Sequence, residues 1–300
     1  MRVVVTGAFG YVGLALLQRL AGAWSIVAVG HSPHRPTALP PGVEARHGDL
    51  TLAAEALDGA DAIVHLAGGG GEAKCRADPV RGVRTNVRGT SLLVEAARRA
   101  GVRRLIFAST IAVYGTFRQH GRPCRETDEL APDDLYGSLK EAAEYAWTAL
   151  GGGTALRLAN VYGAGPGVDL GGAGAVERFA RAAARGGELE VYGDGSQRID
   201  YVHVDDVVEA FRLAVEANDL PPAINIGGGG PCSIRKLAEM SVRAGEALGA
   251  RPHVVTRPAP EGKIWPDRSL AIDLARMALG WRPRVPLEAG VAELVPMMRG

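Results

Sequence analysis

The chain has 300 residues, of which 47% are apolar and 22% charged, and its net charge is +1. This is the composition of a globular protein able to bury a large core, and the balance of acids and bases gives no argument for nucleic acid or an anionic membrane as partner. Length alone suggests one large α/β domain, or one domain with a smaller lobe. Three cysteines, Cys75, Cys124 and Cys232, are odd in number, far apart and form no C-x-x-C. The expectation is a reduced, cytoplasmic protein without structural disulfides or a cysteine zinc site. The chain opens directly on a strand, MRVVVTG, with no signal peptide in view. No run of about 18 uninterrupted apolar residues predicts a transmembrane helix.

Arg2–Thr6 is a β-branched run ending in glycine, and Val12–Leu20 has helical spacing. Short apolar runs follow at Ser25–Val29, Ala62–Leu66 and Leu105–Ala108, with a further strand expected at Glu44–Arg46. Val87–Arg99 has a helical pattern that stops before Gly101; Leu139–Leu150 predicts another helix and Thr154–Leu158 another strand. Strands that are apolar throughout, alternating with helices, predict a parallel sheet covered on both faces. After Asn160 the texture changes. Gly163–Gly174 is glycine-rich loop, Val176–Arg185 is helical, and Ala223–Ile226 is a strand running into four glycines. Residues 251–268 hold several prolines and no period. The predicted architecture is an α/β, doubly wound parallel sheet with a smaller C-terminal substrate-binding lobe. Residues 1–162, with 196–226 returning, would form the first; 163–195 and 227–300 would form the second.

Gly7-Ala8-Phe9-Gly10-Tyr11-Val12-Gly13 lies between the first strand and the first helix. In this G-x-x-G-x-x-G, Gly7 permits the tight turn and Gly10 lets the backbone approach a pyrophosphate at the helix N-terminus. Gly13 lets helix and strand pack closely. The context predicts a Rossmann dinucleotide site. NAD-preferring sites of this kind place an acid at the end of the second strand. Here that strand ends Val29-Gly30-His31-Ser32, with Arg35 and His34 nearby and no acid. The 2′-phosphate of NADP is therefore favoured over NAD, with His31, Ser32 and Arg35 around it. Asp49-Leu50, after the third strand, could contact adenine.

Tyr136-Gly137-Ser138-Leu139-Lys140 is Y-x-x-x-K, and residues four apart share a helix face. An ammonium beside a phenol is expected to lower the phenol's pKa, and such a tyrosine can exchange a proton with a carbonyl or alcohol oxygen. The strand ending in Ser109-Thr110 offers a hydroxyl to polarise the same oxygen.

The glycine turn, FASTIAVYG, YGSLK, NVYGAGP, RIDYVHVDDV and LGWRP occur in this order from Val3 to about Pro283. Together they resemble the extended short-chain dehydrogenase/reductases, the NAD-dependent epimerase/dehydratase-like family acting on nucleotide sugars. The resemblance implies Thr110 as the catalytic hydroxyl, Tyr136 as acid/base and Lys140 as its partner. It implies Ser109 beside the nicotinamide, and Gly7, Gly10, Tyr11, Val12, Asp49, Leu50, Leu66, Ala67, Asn86 and Lys140 lining the cofactor. Gly68 opens a run of four glycines where relatives carry bulkier residues near the nicotinamide. Asn160 and Arg198 match positions that hold the sugar-nucleotide diphosphate, and a guanidinium fork suits phosphate oxygens. The arginine motif before the last helix is not intact, which leaves Arg257 and Lys263 as candidates there. A homodimer paired through Val87–Arg99 and Leu139–Leu150 is also implied.

Dehydrating relatives carry Asp-Glu directly after the hydroxyl residue, and decarboxylating ones a Glu in the same stretch. Here those positions are Ile111 and Ala112. The expected activity is therefore NADPH-dependent reduction of a nucleotide-linked 4-keto-6-deoxyhexose, with an NAD-dependent 4-epimerase as the alternative. A non-catalytic NADP-binding protein is disfavoured by the presence of Thr110, Tyr136 and Lys140. No metal is assigned: the seven histidines have no ligand spacing. His65 reads as a satisfied core residue, and Asp205-Asp206 as caps of a helix beginning near Val207.

Overall fold

In a computed structural model, the protein is described over residues 1–31, 39–68, 71–115, 122–165, 174–261 and 268–299. The chain begins with β1 (Arg2–Thr6) and α1 (Tyr11–Leu20), then β2 (Ser25–Gly30), β3 (Val43–His47), α2 (Leu50–Glu55) and β4 (Ala62–His65). Two short helices, α3 (Gly71–Ala77) and α4 (Pro79–Val83), precede a π-helical turn (Arg84–Gly89) that runs into α5 (Thr90–Arg99). Next come β5 (Arg104–Thr110), a 3₁₀ turn (Ile111–Tyr114), α6 (Leu135–Tyr145) with a π-helical end (Ala146–Leu150), and β6 (Thr154–Leu158). The remainder is β7 (Asn160–Tyr162), α7 (Ala175–Ala184), β8 (Glu188–Tyr192), β9 (Arg198–His203), α8 (Val204–Glu216) and β10 (Ala223–Ile226). It ends with β11 (Pro231–Ser233), α9 (Ile234–Glu246), β12 (His253–Arg257), α10 (Asp273–Leu279) and α11 (Leu287–Met297).

Seven strands make one parallel sheet in the order β10-β6-β5-β4-β1-β2-β3. Alternating side chains of β1 serve both faces. Val3 and Val5 join the core under α1 and α8, with Leu16, Leu17 and Phe211. Val4 joins the opposite core, with Leu57, Leu93, Phe107 and Trp147. Both faces being covered explains the apolar runs Val3–Val5, Ile26–Val29 and Ala62–Val64 in the central strands. Each such buried side chain contributes roughly 1.5–3 kcal/mol.

A third core lies in the lobe, where Val176, Phe179, Leu189, Leu237 and Leu294 pack together. It is built on the parallel pair β8–β12 and on α7, α9 and α11. The sheet β11-β9-β7 runs between the cores: Tyr201 faces the lobe core and Val202 the large one. The chain returns late to the large core, which takes in Leu270, Ile272, Ala275, Leu279 and Trp281. Hydrogen bonds pin that return: the Leu270 N–H donates to Asp200 Oδ2 at 2.9 Å, and Trp281 Nε1 to the Asp206 carbonyl at 2.9 Å.

Helix ends differ from the sequence expectations. The helix over Leu139–Leu150 begins earlier, at Leu135, because Asp134 caps it by accepting the Gly137 N–H at 2.7 Å. Likewise α8 begins at Val204, before Val207. His203 caps it, its Nδ1 accepting the Asp205 N–H at 3.2 Å, so Asp205-Asp206 is not the cap. The Asp206 carboxylate instead accepts the Arg284 and Val285 N–H groups at 2.9 and 3.1 Å. Histidine's capping capacity depends on its tautomer, which propensity does not reveal.

Candidate active site

The strand order reverses between β1 and β4, and such a switch point opens a crevice at the carboxyl ends of the strands. Gly7 follows β1 there with φ +66°, and a Cβ at Gly7 would lie 2.6 Å from the Ala67 nitrogen. A Cβ at Gly13 would lie 2.6 Å from the Ala8 carbonyl oxygen. Both positions need glycine, and the turn they form leaves the start of α1 without a side-chain cap at Gly10. A backbone cradle of this kind fits a pyrophosphate. Val12 is partly buried against the large core. The Tyr11 hydroxyl donates to the Gly163 carbonyl at 2.7 Å, so it ties α1 to the lobe.

Along the same edge, Leu66 and Ala67 are half-buried; the Ala67 N–H donates to Thr6 Oγ1 at 3.3 Å. A Cβ at Gly68 would lie 2.7 Å from Asn86 Oδ1 and 3.1 Å from Lys140 Nζ. Asn86 sits in the π-helical turn, a distortion that often marks function. Its Nδ2 donates to the Gly82 carbonyl at 3.0 Å, and its buried Oδ1 has no hydrogen-bond partner among the described residues. An orphaned amide oxygen beside Gly68 and Lys140 fits a polar ligand such as a nicotinamide ribose. At the far end, His31 is exposed after β2, and Phe9 stacks on His47 with centroids 4.6 Å apart. Asp49 caps α2 by accepting the Thr51 N–H at 2.9 Å, hydrogen bonds that lower its pKa, and Leu50 packs against the neighbouring core. Ser32 and Arg35, expected at the 2′-phosphate, lie outside the described residues.

Thr110 and Tyr136 meet. The Thr110 hydroxyl accepts the Ala112 N–H at 3.2 Å and shares a hydrogen bond with the Tyr136 phenol. Burial pushes the Tyr136 pKa up to about 12, and the Thr110 hydrogen bond offsets this only in part. The sequence reading expected the reverse, a phenol lowered by Lys140. Desolvation prevails because Lys140 turns to the Phe107 ring, with Nζ 4.3 Å from its centroid. Burial also pulls the Lys140 pKa down to about 8, against the opposing pull of Glu144. Ile111 and Ala112 are buried and apolar, so no carboxylate stands beside Thr110 in that turn.

Ser109 is buried and donates to Glu144 Oε2 at 2.6 Å. Glu144 also receives Arg157 at 2.5 Å, and Arg157 Nη1 donates to the Tyr114 hydroxyl at 2.7 Å. Sequence reasoning missed this pair. The signal was present for Glu144, which continues the spacing of four through Tyr136 and Lys140. His65, expected in the core, lies fully buried between Thr6 Oγ1 at 2.6 Å and Thr90 Oγ1 at 2.9 Å.

On the lobe side, Asn160 Nδ2 donates to the Asp200 carbonyl at 3.0 Å, and Arg198 is exposed at the start of β9. Arg257 differs: its guanidinium is taken up by Glu188 at 2.9 Å and Glu190 at 3.0 Å. Nε and Nη2 are the atoms engaged there, in ion pairs that are exposed. Lys263 lies outside the described residues. Among the described residues no group of three His, Cys, Asp or Glu side chains could hold a metal, and no helix is long and apolar enough to cross a membrane.

A glycine cradle at the switch point and a Thr–Tyr–Lys group beside it define a Rossmann-fold oxidoreductase-type enzyme. The family model described as the NAD dependent epimerase/dehydratase family matches residues 3–227, and the chain belongs to that family. It is 33% identical to a dTDP-6-deoxy-L-talose 4-dehydrogenase (NAD(P)(+)) of Kitasatospora kifunensis, over 98% of this chain and 94% of that protein. It is also 33% identical to a UDP-glucose 4-epimerase of Mycolicibacterium smegmatis, over 100% and 99%. Among solved structures it resembles MoeE5 in complex with UDP-glucose and NAD. There the TM-score is 0.84 at 32% identity, covering 98% of this chain and 97% of that one.

Proposed function

We propose that the protein is an NADPH-dependent reductase of a nucleotide-linked 4-keto-6-deoxyhexose. The observation that carries this reading is the Thr110–Tyr136 pair, a neutral phenol held against a hydroxyl with no carboxylate in the adjoining turn. A nicotinamide held beside Gly68, Asn86 and Lys140 would supply the hydride chemistry at C4. Tyr136, protonated up to about pH 12, gives its proton to the C4 oxygen, and Thr110 orients that oxygen. The Lys140 ammonium, beside Gly68 and Asn86, suits the cofactor ribose. Gly7, Gly10 and Gly13 would receive the pyrophosphate, and Arg198 with Asn160 the sugar-nucleotide diphosphate. The missing acid after β2 supports the choice of NADPH, and the name of the 4-dehydrogenase relative, NAD(P)(+), covers both nucleotides.

A second reading, an NAD-dependent 4-epimerase, is favoured by the UDP-glucose 4-epimerase relative and by the NAD in the MoeE5 complex. The two separate on one experiment. Nucleotide released from freshly purified, denatured protein is chromatographed, and the emptied protein is titrated with NADPH and NADH. An empty site preferring NADPH, followed by NADPH consumption with nucleotide 4-keto-6-deoxyhexoses, is the expected result. Tightly retained NAD, with C4 epimers interconverted and no net cofactor consumed, replaces the reductase by the epimerase.

A further inference from the structure

Tyr136, Lys140 and Glu144 stand at successive turns of α6, and residues four apart share a helix face. The first two belong to the reaction described above; the third does not. Glu144 is nonetheless buried, and its carboxylate has three demands on it. Ser109 Oγ donates to Oε2 at 2.6 Å, while Arg157 Nη2 and Nε donate to Oε1 at 2.5 and 3.1 Å. Arg157 in turn holds the Tyr114 hydroxyl at 2.7 Å, and that hydroxyl donates to Asn225 Oδ1 at 2.9 Å. One carboxylate thus joins α6 to the end of β5 beside Thr110, to β6, and to the turn that follows Thr110.

We propose that Glu144 is a positioning residue for this site: gripped by Arg157, it fixes Ser109 against α6 and presents the buried negative charge that faces the Lys140 ammonium. The inference rests on the Tyr–Lys assignment but not on any sugar or nucleotide. Lys140 is met by Cys75 from α3, His65 from β4, the Phe107 ring from β5 and the Asn86 amide from the π-helical turn. Its neighbour on α6 is Tyr136. Glu144 is the carboxylate among these that acts on it. A buried ammonium without such a charge releases its proton at lower pH.

The test reads Lys140 directly in ligand-free protein. The chain has four lysines, so ¹³Cε-labelled lysine gives few resonances to follow by NMR. Lys140→Arg identifies the buried one. Wild-type Lys140 is expected to titrate near pH 8. In Glu144→Gln its midpoint should fall by about one pH unit. Removing one member of a buried ion pair can prevent folding, so Glu144→Gln/Arg157→Gln, which leaves no lone charge, is measured beside it. A midpoint lowered in the double variant supports the inference. An unchanged midpoint in a folded variant overturns it, even if thermal stability has dropped, since a purely structural clamp would change stability alone. The alkaline limb of NADPH binding should move with the Lys140 midpoint. If wild type binds neither nicotinamide nucleotide while the midpoint still moves, the proposed function fails and the role of Glu144 stands.

Discussion

A phenol at about pH 12 beside a threonine hydroxyl is a proton donor before any ligand arrives. Tyr136→Phe removes that proton and little volume. Turnover is expected to fall about 10²–10⁴-fold with cofactor affinity retained, which steady-state kinetics and NADPH titration would measure. Full activity in the variant would remove Tyr136 from the mechanism. His65 supplies a separate prediction, about stability. Burial, reinforced by the Lys140 charge, lowers its pKa from 6.5 to about 3. Between those values the unfolded chain binds a proton that the folded protein refuses, so stability falls as pH drops through the window. Asp200 opposes this. Its pKa is raised by burial from 3.8 to about 6, so folded protein takes up a proton first and gains stability as pH falls there. His65→Gln should therefore flatten, or reverse, the loss of melting temperature on acidification. An unaltered pH slope would show that His65 does not carry it. At this scale the sequence put Thr110, Tyr136 and Lys140 forward as candidates through short spacings, and the fold brings Thr110 to Tyr136. The sequence concealed Arg157, which reaches Glu144 from a neighbouring strand, and it misjudged the phenol, because desolvation depends on packing that spacing does not encode.

Among the elements, the turn between β1 and α1 is the most constrained. Gly13→Ala would set a methyl 2.6 Å from the Ala8 carbonyl, on backbone rather than on a flexible side chain. The turn must open, at a cost of roughly 1–3 kcal/mol. A lowered melting temperature and weakened NADPH binding are expected together; unchanged binding would separate the turn from the cofactor. Strand positions were legible because a sheet buried on both faces favours continuous apolar runs, as at Val3–Val5 and Ile26–Val29. The π-helical turn at Arg84–Gly89 was not. Its sequence continues an ordinary helical pattern, and only the placement of Asn86 against Gly68 and Lys140 distinguishes it.

For the whole molecule, the exposed apolar side chains suggest a second subunit. Val80, Val83, Leu92, Tyr145 and Leu150 are exposed on α4, α5, α6 and the turn after it, and Tyr145 is 68% exposed. A homodimer formed through this face would cover them. Sedimentation should show a dimer for the wild type and a monomer for Leu92→Glu/Tyr145→Glu; a monomeric wild type would remove the dimer. The return of residues 270–281 to the large core was not legible, since it depends on acceptors at Asp200 and Asp206 far along the chain.

That return bears on how such a protein can change its substrate. The lobe is not a cassette. Its core draws on segments around Val176, Leu237 and Leu294, and between them the chain passes back into the sheet at β10 and into the large core at Leu270–Trp281. No single cut releases a self-contained unit, so the three cores should melt in one transition, and exchanging the lobe with that of a relative would need several coordinated junctions.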